Sequence, residues 1–284
     1  MIGNKMKTIL ITGINGFLGS HLAKRLSENN NIVGLEYEPE NLFRLTGYDF
    51  EVYNSSNDSI RNIFEKRKVD FIIHTATFYG RGNEDILQLT ETNLFMPFRL
   101  LNLAIKNNVA AFINTDTVLD RFVSAYALTK NQFREWLHFR RNEIKTINMQ
   151  LDHFYGKGCS NSNFVTSMID RLKSNDPVID LTAGAQQRDF IYYEDVVNAF
   201  EIVVKKNDEI ATDSNFQVGS GEYISIKELM LFLKKEIGSS SDLNFGAISY
   251  RENELMKSET DIEPLRNLGW RPKYGIREGL SKLL

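Results

Sequence analysis

The segment KTILITGINGFLGSHLAKRL, residues 7–26, contains the features that decide the fold. Its first six residues are rich in apolar and β-branched side chains, as in a buried strand, and leucines at positions 18, 22 and 26 recur at the spacing of one helix face. Between strand and helix lies GINGFLG, residues 13–19, with glycines in a GxxGxxG spacing. Such glycines permit a tight turn and a close backbone approach to a pyrophosphate, whose charge would face the helix N-terminus. The segment therefore predicts a dinucleotide-binding strand, turn and helix.

Short apolar segments continue this pattern along the chain, with helix-like segments between several of them. They lie at residues 31–35, 49–53, 70–75, 110–115 and 146–151. The alternation predicts an α/β fold with a Rossmann-like, doubly wound parallel sheet. A polar, glycine-containing stretch begins at residue 156 and predicts a boundary there. We therefore expect a first domain at residues 1–155 and a smaller C-terminal lobe at 156–284.

Composition places the chain among ordinary globular proteins, with 284 residues, 42% hydrophobic and 25% charged. The 34 basic and 37 acidic residues give a formal net charge of -3 without a long basic run, which disfavours a nucleic-acid partner. The single cysteine, Cys159, cannot form an internal disulfide, and no Cys/His cluster has the spacing of a metal site. No apolar stretch is long enough for a membrane span, and the first apolar run is too short for a signal peptide. We expect a cytoplasmic protein without a metal or a membrane partner.

An acidic residue stands where a dinucleotide-binding domain places its ribose ligand, at the end of the second strand. This residue is Glu36, 17 residues beyond Gly19. Its carboxylate would accept hydrogen bonds from the adenosine ribose hydroxyls and would repel a 2′-phosphate, which favours NAD over NADP. The alternative is a solvated surface glutamate beside Tyr37 and Glu38. The expected cofactor is therefore NAD(H) or NADP(H), with the choice left open.

A tyrosine and a lysine in YALTK, residues 126–130, stand four apart and would share one helix face. A phenol with a pKa of about 10 is a poor proton donor at neutral pH, and an adjacent ammonium lowers that pKa by stabilising the phenolate. Lys130 would thus tune Tyr126 for proton transfer. Taken alone, such a pair is usually a packed aromatic ring beside a solvated lysine. The glycine loop upstream favours the catalytic interpretation.

These motifs together resemble the extended short-chain dehydrogenase/reductases, the NAD-dependent epimerase/dehydratase group. The resemblance covers nearly the whole chain, because further segments match the family in order: HTAT at 74–77, Asn93, FYGKG at 154–158, QRDF at 187–190 and LGWRP at 268–272. It implies that about 187–219 returns to the Rossmann domain and that the C-terminal lobe mainly binds substrate. It also implies a homodimer packed through helices near 91–104 and 126–140, although their aromatic residues fit an internal core equally well.

The same resemblance assigns roles to individual residues. Thr115, at the end of the fifth predicted strand, would complete a catalytic triad with Tyr126 and Lys130 by hydrogen bonding the reacting sugar oxygen; the alternative is a strand-end threonine. The residues implied to bind the cofactor are Gly13, Asn15, Gly16, Phe17, Leu18, Gly19, Glu36, Asn54, Ser55, Thr75, Ala76, Thr77, Tyr126, Lys130 and His153, the last equally well explained as a packed histidine. The residues implied to bind the substrate are Tyr79, Arg81, Asp116, Thr117, Asn163, Arg188 and Arg251, with the last two holding its diphosphate unless they pair with a neighbour such as Asp189 or Glu252.

The segment Thr115-Asp116-Thr117 reduces the number of reactions that the family resemblance leaves open. Sugar-nucleotide 4,6-dehydratases of the family carry Thr-Asp-Glu at this place, and a threonine hydroxyl cannot replace the glutamate as a base at neutral pH. Dehydration is therefore disfavoured. What remains is hydride transfer at a sugar carbon, either as reduction of a keto-sugar or as epimerisation.

Several longer segments resemble the CDP-abequose and CDP-paratose synthase branch of the family, among them HTATFYGR at 74–81, QFREWL at 132–137 and DLT at 180–182. That branch implies NAD(P)H-dependent reduction of the C4 keto group of a CDP- or dTDP-linked deoxysugar, in deoxysugar and lipopolysaccharide O-antigen biosynthesis. The branch is thought to use NADPH, which conflicts with Glu36. Two rivals stay open: an epimerase with the same triad, and a non-catalytic dinucleotide-sensing protein, against which the intact triad argues.

Overall fold

A computed structural model describes residues 6–80, 85–251 and 254–284, which divide into two compact units. The first unit comprises the chain through Gln150 together with Phe200–Phe216, and the second comprises Leu151–Ala199 and Gln217–Leu284. The division thus falls after Gln150, whereas sequence patterns place it after residue 155. The segment that returns to the first unit is 200–216, shorter than the expected 187–219.

The strands are mostly short, and seven of those in the described residues form one sheet. They are β1 (Lys7–Thr12), β2 (Asn30–Glu36), β3 (Glu51–Asn54), β4 (Phe71–His74), β5 (Ala111–Thr117), β6 (Thr146–Leu151), β7 (His153–Tyr155), β8 (Val178–Leu181), β9 (Gln187–Arg188), β10 (Phe190–Tyr192), β11 (Ser214–Val218), β12 (Ile224–Ser225) and β13 (Asp242–Phe245). The sheet has the order β11, β6, β5, β4, β1, β2, β3, and β1 is parallel to both β2 and β4. This order, which runs outward in both directions from β1, confirms the predicted Rossmann-like α/β class.

The helices connect these strands and cover the sheet. They are α1 (Phe17–Leu26), α2 (Asn57–Lys66), α3 (Ile86–Thr90), α4 (Met96–Lys106), α5 (Ala125–Phe139), α6 (Phe164–Lys173), α7 (Tyr193–Lys205), α8 (Ile226–Ile237), α9 (Glu263–Asn267) and α10 (Ile276–Ser281). A π-helical turn at Glu91–Phe95 joins α3 to α4. Within the three described ranges, no helix combines the length and the apolar character that crossing a bilayer requires.

The core of the first unit forms between the central strands and the helices packed on them. β4 is buried along its whole length, as expected for a parallel strand with helices on both faces. On one face, Leu10, Ile72 and Phe112 pack in the same cluster as Leu100 of α4 and Phe133 of α5. Each fully buried side chain of this kind contributes roughly 1.5–3 kcal/mol. This packing fixes the carboxyl ends of β1, β4 and β5, where the predicted site residues lie.

The second unit is built from helices and two-stranded sheets. β7 pairs with β10 and β8 with β13 in parallel, whereas β9 and β12 are antiparallel. Its core includes Leu172 of α6 together with Leu229 and Leu233 of α8. α8 begins with a capping box between Ser225 and Glu228, which satisfies backbone donors that the helix itself leaves unpaired.

Candidate active site

The glycine loop lies between β1 and α1, and its glycines are required by close packing. Gly13 has a φ of +62°, and a Cβ there would lie 2.8 Å from the Cα of Ala76. A Cβ on Gly19 would meet the Gly13 carbonyl group and lie 2.9 Å from the Thr75 hydroxyl oxygen. Side chains at these positions would force the loop away from the turn that follows β4.

The start of α1 has the properties of a phosphate site. Gly16 is the N-cap and supplies no side-chain cap, and the first turn of the helix contains no acidic residue. The N–H groups and the dipole at a helix N-terminus attract phosphate oxygens. The predicted residues Phe17, Leu18 and Gly19 form this first turn, so the loop fits the pyrophosphate of a dinucleotide.

Glu36, at the end of β2, is joined to the glycine loop by hydrogen bonds. Its Oε2 accepts the N–H of Asn15 at 2.8 Å, and its Oε1 accepts the N–H of Tyr37 at 2.9 Å. Asn54 is its register partner at the end of β3, and Ser55 follows. These bonds argue against the alternative of an unattached surface glutamate.

Arg44 also lies against this loop, although no sequence pattern singled it out. Its backbone N–H donates to Asn15 Oδ1 at 3.0 Å, and its Nη1 donates to the Asn15 carbonyl at 3.4 Å. The guanidinium carbon is 4.5 Å from the centre of the Phe43 ring. Asn15 is therefore contacted by both the carboxylate of Glu36 and the guanidinium of Arg44.

The turn after β4 is held to β1 by hydrogen bonds to the hydroxyl and the carbonyl of Thr12. Thr12 Oγ1 accepts the N–H groups of Thr75 at 3.1 Å and of Ala76 at 3.0 Å, and lies 2.8 Å from His74 Nδ1. With both N–H groups donating to it, the hydroxyl proton is available for His74. The His74 ring is fully buried, and this burial lowers its pKa well below the ordinary value. We therefore assign it as neutral.

Asn93 fixes the rest of this turn against α5. Its Oδ1 accepts the N–H of Phe78 at 2.8 Å and lies 3.4 Å from the Thr77 hydroxyl, and its Nδ2 donates to the Phe78 carbonyl at 2.9 Å. The same Nδ2 donates to the Thr129 hydroxyl at 3.1 Å. Asn93 lies in the π-helical turn, a feature that is frequent at functional sites.

Two residues of the predicted triad, Thr115 of β5 and Lys130 of α5, are in direct contact. α5 begins after Ser124, whose side chain accepts the N–H of Ala127 and caps the helix, so that Tyr126 and Lys130 are one turn apart. Lys130 Nζ donates to the Thr115 carbonyl at 2.7 Å. The Thr115 hydroxyl oxygen is buried and has no hydrogen-bond partner. Such an atom fits a site that receives a polar group from a ligand.

The ring of Tyr79 lies over that of Tyr126, with centroids 4.9 Å apart and planes inclined by 37°. Lys130 is 2% exposed, and burial lowers the pKa of its ammonium to about 8 against the attraction of Asp116. An ammonium has three donors, so two N–H groups remain beyond the bond to Thr115. The arrangement can hold a ribose hydroxyl and support proton transfer from a neighbouring phenol.

Asp116 and Thr117, predicted to contact substrate, make contacts within the first unit. Asp116 Oδ1 accepts the N–H of Thr117 at 2.8 Å, and its Oδ2 forms an ion pair with Arg134 Nε at 3.2 Å. Thr117 Oγ1 accepts the N–H of Leu119 at 3.2 Å. Burial raises the pKa of Asp116, and Arg134 opposes that rise. Substrate contacts of both residues stay predictions.

The remaining predicted residues belong to the second unit or lie outside the described ranges. His153 Nδ1 is 2.5 Å from Asp152 Oδ1, and Asn163 caps α6 by accepting the N–H groups of Val165 and Thr166. Arg188 donates to the Leu255 carbonyl at 2.6 Å and forms an ion pair with Glu254 rather than with Asp189, whereas Glu252 lies outside the described residues. Arg251 is exposed, and Arg81 lies outside the described residues. In the ranges that the structure describes, no group of three His, Cys, Asp or Glu side chains could hold a metal ion.

Comparison with known proteins decides the family. The profile of the NAD dependent epimerase/dehydratase family matches residues 9–219. The chain belongs to this family. The family description names NAD, in agreement with the nicotinamide dinucleotide expected from the glycine loop.

Individual relatives match nearly the whole chain. CDP-abequose synthase of Salmonella typhimurium is 31% identical, over 97% of this chain and 97% of that protein. dTDP-4-dehydro-6-deoxyglucose reductase of Escherichia coli is 24% identical, over 97% of this chain and 96% of that protein. Among solved structures, UDP-glucose 4-epimerase of Thermotoga maritima, with UDP-glucose, superimposes with a TM-score of 0.84 at 23% identity, over 97% of each chain. The resemblance to the epimerase/dehydratase family is therefore confirmed, and the structural likeness confirms its fold.

Proposed function

We propose that this protein reduces the C4 keto group of a nucleotide-linked deoxysugar with NADPH or NADH. The observation that carries the proposal is the unpartnered Thr115 hydroxyl beside Lys130, on the strand end that faces the start of α5. A keto oxygen placed at this hydroxyl would lie among the three residues that reduction needs. The names of the relatives, a CDP-abequose synthase and a dTDP-sugar reductase, support the same substrate class.

Three residues of the first unit have separate roles in the proposed reduction. Bound NAD(P)H supplies the hydride that attacks C4. Thr115 Oγ1 donates a hydrogen bond to the oxygen on which negative charge develops. Tyr126 gives its phenolic proton to that oxygen, and Lys130 holds the nicotinamide ribose and favours the phenolate that remains.

The glycine loop and its neighbours would hold the dinucleotide. The first turn of α1 would bind the pyrophosphate, and Glu36 and Asn54 lie at adjacent strand ends where an adenosine would be held. Arg44 offers a partner for a 2′-phosphate next to Glu36, which would reduce the repulsion that Glu36 alone exerts. We therefore propose that the site accepts NADPH as well as NADH.

Two observations on β5 argue against dehydration. Thr117 stands in place of a glutamate base, and its hydroxyl accepts a hydrogen bond from Leu119. The Asp116 carboxyl group is buried, and its Oδ2 lies 3.2 Å from Arg134 Nε, so that oxygen faces a cation of α5. Hydride transfer at C4 needs neither group.

In the second unit, Arg188 and Arg251 are proposed to bind the diphosphate of the substrate, Asn163 is proposed to contact the substrate, and His153 is proposed to contact the cofactor. Arg188 is the strongest candidate because a guanidinium can bind phosphate through two parallel hydrogen bonds. Binding would require its ion pair with Glu254 to exchange for the diphosphate.

We also propose that the protein is a homodimer. Phe95, Trp136 and Phe139, in the π-helical turn and on α5, are 50%, 48% and 69% exposed. Large exposed aromatic side chains on neighbouring helices are typical of a protein interface. Light scattering after size-exclusion chromatography should give twice 32.7 kDa, and a mass of one chain would contradict this proposal.

The experiment for the proposed activity mixes purified protein with CDP- and dTDP-linked 4-keto-6-deoxy and 4-keto-3,6-dideoxy sugars. Absorbance at 340 nm is followed with NADPH and, separately, with NADH. Stoichiometric loss of absorbance with one sugar is expected. A sugar altered by NMR without loss of absorbance would indicate the epimerase instead. Tight cofactor binding with every sugar unchanged would favour the non-catalytic dinucleotide-sensing protein.

A further inference from the structure

The face of α5 that carries the predicted catalytic pair continues for another turn. Tyr126, Lys130 and Arg134 are spaced four residues apart and therefore lie on one side of the helix. Lys130 Nζ donates to the carbonyl of Thr115 at 2.7 Å, and Arg134 Nε lies 3.2 Å from Oδ2 of Asp116. Two successive residues of β5 are thus each held by a cation from successive turns of α5.

In the ion pair of Arg134 with Asp116, the carboxylate is fully buried and the guanidinium is partly exposed. The side chain of Asp116 is 0% exposed and that of Arg134 is 23% exposed. A buried carboxylate is tolerated when a cation and hydrogen bonds compensate for its lost hydration. Here Arg134 and the N–H of Thr117 provide part of that compensation, because Asp116 Oδ2 has no hydrogen-bond partner and burial still raises the pKa of Asp116. The negative charge of Asp116 in turn stabilises the buried ammonium of Lys130, because a buried charge needs an opposite charge nearby.

We propose that Arg134 is a positioning residue for the Tyr126–Lys130 pair. By holding the ionised carboxylate of Asp116, it fixes the end of β5 against α5 and maintains a negative charge beside Lys130. On α5 itself, Arg134 Nη2 donates to Asn131 Oδ1, and the contact of Arg134 with β5 is its ion pair with Asp116. The role in catalysis rests on the proposed function, whereas the effect on Lys130 does not.

The direction of the electrostatic effect follows from the charges around Lys130. Burial lowers the pKa of Lys130 to about 8, and Asp116 on β5 opposes this by attraction. Burial raises the pKa of Asp116, and Arg134 opposes that rise. Loss of Arg134 would favour the protonated form of Asp116, remove the attraction and lower the pKa of Lys130 further.

Further titratable or charged side chains lie near Lys130 and Arg134. His74 on β4 is near Lys130 and is neutral, because burial lowers its pKa. Arg134 shares a surface groove of about 280 Å³ with Glu135, His138 and Asp213. His138 Nδ1 and Asp213 Oδ2 are 2.6 Å apart and form their own pair.

The test is an NMR titration of the whole protein labelled with ¹³C at lysine Cε, without cofactor or substrate. The Lys130 signal is assigned by its loss in Lys130→Arg. Arg134→Gln should lower the pKa of Lys130 by about one unit, the lower end of the range for an opposite charge close by. Arg134→Lys keeps the positive charge and should return the pKa of Lys130 most of the way to the wild-type value. Arg121→Gln is the matched control, because Arg121 pairs with the exposed Glu135 of the same helix and should leave Lys130 unchanged.

A second variant covers the case in which Arg134→Gln does not fold. Asp116→Asn removes the negative charge directly, and it should lower the pKa of Lys130 at least as far. An unchanged Lys130 titration in a folded Arg134→Gln or Asp116→Asn protein would overturn the proposal, whatever reaction the protein performs.

If the 340 nm assay shows reduction, the alkaline limb of its pH profile should move to lower pH in Arg134→Gln and return in Arg134→Lys. Failure of that assay with every sugar would count against the proposed function and leave the titration as the test of this inference.

Discussion

The substitution Gly19→Ala should damage the glycine loop without adding charge or polarity. A Cβ at this position would meet the Gly13 carbonyl group and lie 2.9 Å from both the Gly13 carbonyl carbon and Thr75 Oγ1. Ordinary contacts of a Cβ start near 3.4 Å, so the loop or the turn after β4 must move. The crowded groups are mostly backbone, and Gly13 O already accepts the N–H of Gly16 at 2.8 Å. We expect the free energy of unfolding to fall by about 1–3 kcal/mol, the usual cost of overpacking a close-packed site.

The same displacement should weaken dinucleotide binding more than it weakens folding. A shift of the loop misplaces the first turn of α1 with respect to the pyrophosphate, so we expect the Kd for NADPH to rise at least about tenfold, equivalent to about 1.4 kcal/mol. Fluorescence titration with NADPH gives the Kd, and thermal unfolding gives the stability. The control is Gly275→Ala, where a Cβ would lie 3.4 Å from the flexible Glu222 side chain. Wild-type stability and affinity in Gly19→Ala would refute the packing described for this loop.

Three further substitutions test the site and its helix. Tyr126→Phe should lose most turnover yet keep cofactor affinity, because only the transferable proton is removed; wild-type kcat would contradict the assignment. Ser124→Ala removes the cap of α5 and should cost about 1 kcal/mol in chemical denaturation, and no change would mean that the cap is not needed. Lys130→Met should abolish reduction yet be more stable than wild type at pH 7. The reason is that the pKa of Lys130 is lowered from 10.5 to about 8 on folding, so the unfolded chain binds its proton more tightly. The stability of the wild type should therefore rise relative to Lys130→Met as the pH increases from 8 to 10.5, and parallel stability curves would contradict this sign.

The parts of the fold that sequence could predict are those with a strong local signal. The buried strands and the GxxGxxG loop follow from apolar periodicity and from the special backbone needs of glycine. Helical spacing predicts that Tyr126 and Lys130 share one face of α5, and the glycine loop upstream favours their catalytic interpretation. The end of the first unit was harder to place, because β6 and β7 are separated by a single residue, Asp152, and no polar linker marks the division at Gln150.

The partners of charged side chains could not be predicted in the same way. Arg188 pairs with Glu254, 66 positions away, because the backbone at Leu255 and Met256 lies beside β9. The family resemblance implies a substrate contact for Asp116, and its ion pair with Arg134 is a contact that the resemblance did not indicate. The spacing of 126, 130 and 134 was a signal that could have identified Arg134. Long-range pairing depends on tertiary packing, which local spacing does not encode.

The most direct measurement of the central claim follows a deuterium label. Protein, a 4-keto nucleotide deoxysugar and NADPH deuterated at the transferable C4 position of its nicotinamide are combined, and the product sugar is examined by NMR. The account predicts deuterium at C4 of the sugar, one equivalent per cofactor oxidised, and a much lower rate of labelled product formation with Tyr126→Phe. A product that carries no deuterium, or a labelled product formed at the wild-type rate by Tyr126→Phe, would contradict it.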